Sequence, residues 1–196
     1  MKLTKSNPLN LRTRSPINLT QLGFGGAPLG NLYRKIEDSD AQATLDAAWD
    51  AGIRYFDTAP QYGLGRSEMR ISNALTRFDP DELTLSTKVG RILADCTPQD
   101  VTPEAFVDVP QKRIVFDFTY DGVMRSYMDS ISRLGSDRID MLFLHDIDAG
   151  AHGQAFEDNN LRQLFSEGGY RALSELREAG KISAIGAGVN TWQICE

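Results

Sequence analysis

Cysteine is scarce in this 196-residue chain: Cys96 and Cys195 are the two present, far apart and in no CxxC pair. Two such thiols can build neither a zinc ribbon nor a disulfide framework, and reduced thiols in a cytoplasm are the expectation. Long apolar runs are missing as well. None approaches the roughly 18 residues that a membrane span needs, so no membrane partner is expected. Positive charge is in deficit, with 21 Lys+Arg against 27 Asp+Glu and a formal net charge of −6. That balance excludes a general nucleic-acid backbone binder. Acidic residues are absent before Glu37, which leaves a basic N-terminal stretch carrying Lys2, Lys5, Arg12 and Arg14. The stretch has no apolar h-region, which excludes a secretion signal, although its composition fits an organelle transit peptide. Low-complexity tracts and Gly/Ser linkers are absent too, so no domain boundary suggests itself. With 41% hydrophobic, 24% charged and 9% aromatic residues, the composition excludes collagen, coiled coil and wholesale disorder.

What the chain does contain is a beat of short apolar runs, each followed by a helical pattern. Leu19 to Gly25 is apolar; residues 40–51 place Ala41, Leu45, Ala48 and Trp49 on one face, and Gly52 stops the helix. Ile53 to Asp57 reads as a strand, Ser67 to Leu75 as a helix with Ile71, Ala74 and Leu75 inward, and Leu83 to Lys88 as a strand. A helix is expected from about Tyr120 to Leu134, ended by Gly135. The nearly continuous apolar run Ile139 to His145 suits a strand buried on both faces. Tyr170 to Ala179 is a further helix and Ile182 to Gly188 a fifth strand. This alternation implies a parallel α/β sheet with right-handed crossovers. Helix-to-strand links are tight, whereas the strand-to-helix segments Gly90–Phe118 and Asp146–Gly168 are long. Long segments at the carboxyl ends of parallel strands are where such folds build their sites. Gly90–Phe118, with Pro98, Pro103 and Pro110, reads as a pocket-lining loop.

Four polar residues mark those ends: Asp57, Lys88 and His145 close strands, and Tyr62 lies five residues past Asp57. Each alone has an ordinary structural explanation as a turn residue, a rim aromatic, a solvated charge or a core histidine. Together at consecutive strand ends they make a chemical set. A tyrosine is a poor base near neutral pH, since its reference pKa is about 10, and a neighbouring ammonium favours the phenolate. Asp57 would hold the Lys88 ammonium, Tyr62 would act as general acid toward a carbonyl or general base toward an alcohol, and His145 would orient the same oxygen. Such a site needs a hydride partner that no side chain supplies.

These residues make the chain resemble the aldo-keto reductase superfamily, from about Leu22 onward. The marks are Leu22-Gly23-Phe24-Gly25-Gly26, Gly52 to Ala59 with Tyr62-Gly63, Ser86-Thr87-Lys88, Leu144-His145 and Ile185-Gly186-x-Gly188-x-Asn190. The resemblance implies a (β/α)8 TIM barrel that binds NADP or NAD without a Rossmann motif, with Asp57, Tyr62, Lys88 and His145 as its catalytic four. It implies cofactor contacts from Gly26, Ala27, Asp57 and Asn190; the serine that usually precedes that asparagine is Val189 here. A closer likeness, carried by Ala27 to Tyr33, Phe116-Asp117-Phe118-x-Tyr120-Asp121-Gly122, His145-Asp146-x-Asp148 and Trp192-Gln193, is to the branch with D-threo-aldose (L-fucose) dehydrogenases and pyridoxal 4-dehydrogenase. The implied activity is interconversion of an alcohol and a carbonyl on a sugar or pyridoxal, with a small-molecule substrate and no metal.

A barrel of this type usually needs about 250 residues. About five of eight βα units are present, and Thr191 to Glu196 looks like the opening of a helix. Residues 1–196 therefore read as one C-terminally truncated barrel domain. An exposed sheet edge on such a piece predicts self-association. Two rivals stand beside the enzyme reading. His145, Asp146, Asp148 and His152 suggest a metal-dependent hydrolase, although the chain has just two histidines. The other rival is an inactive barrel fragment or scaffold that binds no cofactor on its own. A Rossmann dehydrogenase fails because Gly23-x-Gly25-x-x-Pro28 breaks the fingerprint at its third glycine.

Overall fold

The computed structural model describes residues 17, 19–136 and 138–196. The basic residues Lys2, Lys5, Arg12 and Arg14 lie outside the described residues.

Five parallel strands form one open sheet: β1 (Gly23–Gly25), β2 (Tyr55–Asp57), β3 (Thr84–Val89), β6 (Met141–His145) and β7 (Ala184–Gly188), side by side in that order. Between β1 and β2 runs α1 (Asp38–Asp50), between β2 and β3 α2 (Arg66–Leu75), and before β6 α3 (Tyr120–Leu134). The expected alternation is present, and the sheet is part of an open α/β barrel. Phe56, Leu85 and Leu142 from successive strands are buried, together with Leu45, Ile71, Val123 and Leu134 from the covering helices. All six residues of β3 are buried, as a strand covered on both faces requires. On α1 the outlying Trp49 stacks on Phe78 with ring centroids 4.3 Å apart. Among the described residues no helix is long and apolar enough to cross a membrane.

Polar residues on the helices also fix the frame. Arg70, buried on α2, donates to the Leu29 carbonyl at 2.6 Å, the Ile36 carbonyl at 2.9 Å and Asn31 Oδ1 at 2.8 Å, which ties down the β1–α1 loop. Glu68, fully buried, takes the Thr87 hydroxyl at 2.8 Å and pairs with Arg133, joining α2 to β3 and α3. A lone charge at such depth would cost several kcal/mol; the paired, hydrogen-bonded carboxylate avoids that penalty.

Three expectations are corrected. The segment Gly90–Phe118 is not an irregular loop: it holds an antiparallel hairpin of β4 (Arg91–Asp95) and β5 (Lys112–Phe116), with Leu93 opposite Ile114. The strands are stabilised by pairing across a long connection, which local periodicity does not display. Phe118, expected in the pocket, is fully buried in the main core. Its ring fills the space beside Gly90, where a Cβ would lie 2.0 Å from Phe118 Cε1, and Gly90 adopts φ 98°. The segment Asp146–Gly168 contains α4 (Ala149–His152) and α5 (Gln154–Ser166), whose buried face of Asn160 and Leu164 is too narrow to announce a helix. After α6 (Gly169–Glu178) and β7, Trp192–Cys195 makes a 3-10 turn.

Candidate active site

Strand register arranges the site. Gly25 stands opposite Asp57, Lys88 opposite Phe143 and His145 opposite Gly188. The carboxyl ends therefore run along one rim in the order Gly26, Asp57, Lys88, His145 and Asn190. Tyr62 joins them from the β2–α2 loop. That loop is held tightly against the β1–α1 loop: at Gly63, φ 66°, a Cβ would sit 2.3 Å from the Gly30 carbonyl oxygen.

Lys88 is the centre of the arrangement. Its Nζ donates to Asp57 Oδ2 at 2.6 Å and to the Thr58 carbonyl at 2.9 Å. The other oxygen of Asp57 takes the Ser86 hydroxyl at 2.6 Å, and Ser86 lies 3.1 Å from the Tyr55 hydroxyl. Burial alone would push the Lys88 ammonium down; the Asp57 carboxylate and the Tyr62 hydroxyl outweigh it and hold the amine above its ordinary pKa. Nζ lies 4.7 Å from the centroid of the Tyr62 ring. His145 meets the same ring edge-on, centroids 5.8 Å apart at 90°. The histidine is 5% exposed and its Nδ1 has no hydrogen-bond partner. Burial, reinforced by the Arg91 and Lys88 cations, holds its pKa well below the usual value, so the imidazole is neutral. Ammonium, tyrosine and neutral imidazole converge at one point on the rim.

The rim residues assigned to a cofactor fall on either side. Gly26 is buried and gives its N–H to the Asp57 carbonyl at 2.7 Å; Ala27 is half-buried. Asn190 is exposed after β7 and donates from Nδ2 to Asp146 Oδ1 at 3.1 Å. Asp146 also pairs with Arg91. Asp148 Oδ2 accepts from the Asn190 and Thr191 amides at 3.1 and 2.9 Å and from the Thr191 hydroxyl at 2.8 Å. Asp146 and the Oδ2 oxygen of Asp148 are thus committed to protein donors, whereas Asp148 Oδ1 is buried without a hydrogen-bond partner. Among the described residues no group of three or more His, Cys, Asp or Glu side chains is disposed to hold a metal ion.

The segment Gly90–Phe118, expected to line the pocket, supplies residues that roof the site, but the sequence did not single out Arg91, Glu104 or Phe106. From the β4–β5 connection, buried Phe106 places its ring 6.1 Å from Tyr62, and Glu104 accepts from the Gln61 amide. Tyr33 N donates to the Ala105 carbonyl at 2.8 Å, and Val107 N to the Asn31 carbonyl at 3.1 Å, fastening the connection to the β1–α1 loop. Arg91, buried at the start of β4, lies over Phe116 at 5.2 Å, and Phe116 packs edge-on against His152 and Phe156, both at 4.8 Å. The one available signal was position: Arg91 follows the end of β3 by a single intervening residue, Gly90.

A model of the aldo/keto reductase family matches residues 21–196. Pyridoxal 4-dehydrogenase of Microbacterium luteolum is 44% identical over 190 residues, covering 92% of this chain and 55% of the relative. D-threo-aldose 1-dehydrogenase of a Pseudomonas species is 42% identical over 171 residues, covering 85% of this chain and 49% of the relative. The chain spans about half the length of the curated relatives it matches. An aldo-keto reductase of Bacillus halodurans in its holo form shares the fold with a TM-score of 0.71 at 24% identity, over 98% of this chain and 52% of that one.

Proposed function

Because the chain belongs to the aldo/keto reductase family, we propose that residues 1–196 are a single barrel domain carrying the catalytic rim of an NAD(P)-dependent oxidoreductase. Its reaction interconverts an alcohol and a carbonyl on an aldose, such as L-fucose or a D-threo-aldose, or on pyridoxal. The observation that carries this reading is the Lys88 ammonium, clamped by Asp57 at 2.6 Å and set 4.7 Å from the Tyr62 ring, with His145 edge-on to that ring. Relatives of 44% and 42% identity, one named for pyridoxal and one for D-threo-aldoses, support the substrate classes.

In reduction, the Tyr62 hydroxyl gives its proton to the carbonyl oxygen; in oxidation, it takes the hydroxyl proton of the alcohol. Lys88 supplies the adjacent positive charge and Asp57 fixes its place. His145, neutral, donates a hydrogen bond to the reacting oxygen and orients it. NAD(P), when bound, supplies or accepts the hydride. The residues present fit such a group. Gly25 faces open space where a side chain would stand, and Asn190 is exposed on the far side of the rim. Gly26, Ala27, Asp57 and Asn190 would hold its nicotinamide end.

The test is an assay of the full-length protein with NAD and NADP against L-fucose, D-threo-aldoses and pyridoxal, run in both directions. Cofactor-dependent turnover of one of these supports the reading. Absence of both turnover and cofactor binding favours the scaffold instead.

A further inference from the structure

Beyond the Asp57–Lys88 pair, a second ion pair stands at the same rim. Arg91 is 2% exposed and directs its guanidinium at two carboxylates on different segments: Asp146 Oδ2, and Glu104 Oε1 at 3.2 Å. Asp146 follows His145 directly and sits at φ 47°, a left-handed conformation that costs energy for a residue with a side chain. Its N–H is anchored to the Gly188 carbonyl at 2.8 Å, which holds the turn in place. Three residues meet this carboxylate: Oδ1 takes the Asn190 amide at 3.1 Å, while Oδ2, besides facing Arg91, lies 3.8 Å from His145 Nε2.

We propose that Arg91 is a positioning residue: it captures the Asp146 carboxylate, keeping it from pairing with His145 while its other oxygen steadies Asn190. The proposal rests on the reading of His145 as the neutral donor to the substrate oxygen. A free carboxylate at that distance from an imidazole favours the imidazolium. An imidazolium would compete with Tyr62 as proton source and repel Lys88. The groups facing His145 are Lys88 from β3, Arg91 from β4, Tyr62 from the β2–α2 loop and Asp146 from its own strand end. With Arg91 in place, both cations and burial oppose protonation and the one adjacent carboxylate is neutralised. The choice of arginine follows from geometry, since a planar fork reaches Glu104 and Asp146 at once and an ammonium is a point charge.

The chain has two histidines, His145 and His152, so an NMR titration of imidazole carbons in the full-length protein, without cofactor or substrate, reads His145 directly once His152→Gln assigns the signals. Arg91→Met is expected to raise the His145 midpoint by about one pH unit or more, about tenfold in its acid constant. Arg91→Met combined with Asp146→Asn is expected to fall back below the single variant, because the freed carboxylate is then gone. Arg91→Lys, a point charge that holds one carboxylate at a time, is expected to fall between wild type and Arg91→Met. An unmoved midpoint in Arg91→Met, or a double variant as high as the single one, overturns the proposal. If Arg91→Met fails to fold by circular dichroism, Asp146→Asn alone decides: a midpoint that stays agrees, because the carboxylate is already held by Arg91, and a clear fall or a rise overturns the proposal. None of these readings depends on turnover, so failure of the oxidoreductase reading and failure of this proposal are separable.

Discussion

Lys88 Nζ lies 2.6 Å from Asp57 Oδ2 across neighbouring parallel strands, with the ammonium 8% and the carboxylate 24% exposed. A lysine on a strand buried along its whole length is tolerated because this carboxylate and the Thr58 carbonyl replace its water. The pair is thus a structural requirement of β2–β3 as well as the centre of the site.

Asp57→Asn is expected to cost about 3–5 kcal/mol of stability, since it leaves the ammonium buried without its counter-charge. It should also change the alkaline behaviour. The Lys88 pKa is raised in the fold, so its stabilisation is present below about pH 10.5 and lost as pH climbs through the folded value. Without Asp57, burial dominates and that loss moves to lower pH. Urea unfolding of both proteins between pH 7 and 10 checks this; parallel curves would contradict it.

Tyr62→Phe in the full-length protein is expected to abolish turnover, by well over about a hundredfold, while leaving cofactor binding nearly intact, because it removes only the hydroxyl that we propose transfers the proton. The two measurements are steady-state kinetics and NAD(P)H fluorescence. Turnover within about tenfold of wild type would remove Tyr62 from its role.

His145 sets an acid limit. Its folded pKa lies well below about 6.5, so between that value and the folded one the unfolded chain binds the extra proton and stability falls as pH falls. The expected slope is about 1.4 kcal/mol per pH unit. His145→Asn should flatten this part of the profile between pH 7 and 5. Denaturant titrations at three pH values are sufficient, and an unaltered slope would place the acid sensitivity elsewhere.

Two phenylalanines in one segment should behave differently. Phe106→Ala, beside Tyr62, is expected to shift preference among aldoses and pyridoxal through KM with cofactor affinity unchanged. Phe118→Ala, fully buried, is expected to lower stability by about 3–5 kcal/mol. Kinetics and thermal melts on the pair separate site roof from core. A stable Phe118→Ala protein would argue that its surroundings collapse to fill the cavity.

Expressed as 196 residues alone, the chain is expected to self-associate. Among the described residues β1 and β7 each have a neighbour on one side, and an unpaired strand edge is a template for another chain. Light scattering after size exclusion gives the mass; a monodisperse monomer speaks against it.

The five parallel strands and most of their helices were legible in the sequence because each carries its own signal. A fully covered strand is apolar throughout, as in Met141 to Leu144, and a covering helix repeats its apolar residues on one face, as in Ala41, Leu45 and Ala48. Asp57, Lys88 and His145 stood out for the same local reason, being polar where apolar runs end, and Tyr62 by its place in the loop that follows Asp57. The hairpin of β4 and β5, the helix α5 and the particular places of Glu104 and Phe106 within the pocket-lining segment were not legible. Their stability comes from partners distant in the sequence: Arg91 opposite Phe116, Phe118 against Gly90, Arg91 on Asp146. Strand-end polarity therefore determined which residues face one another on the rim. Whether Asp146 serves Arg91, Asn190 or His145 was decided only when the tertiary fold brought β4, β6 and β7 within hydrogen-bonding distance, because ion pairs form between neighbours in space.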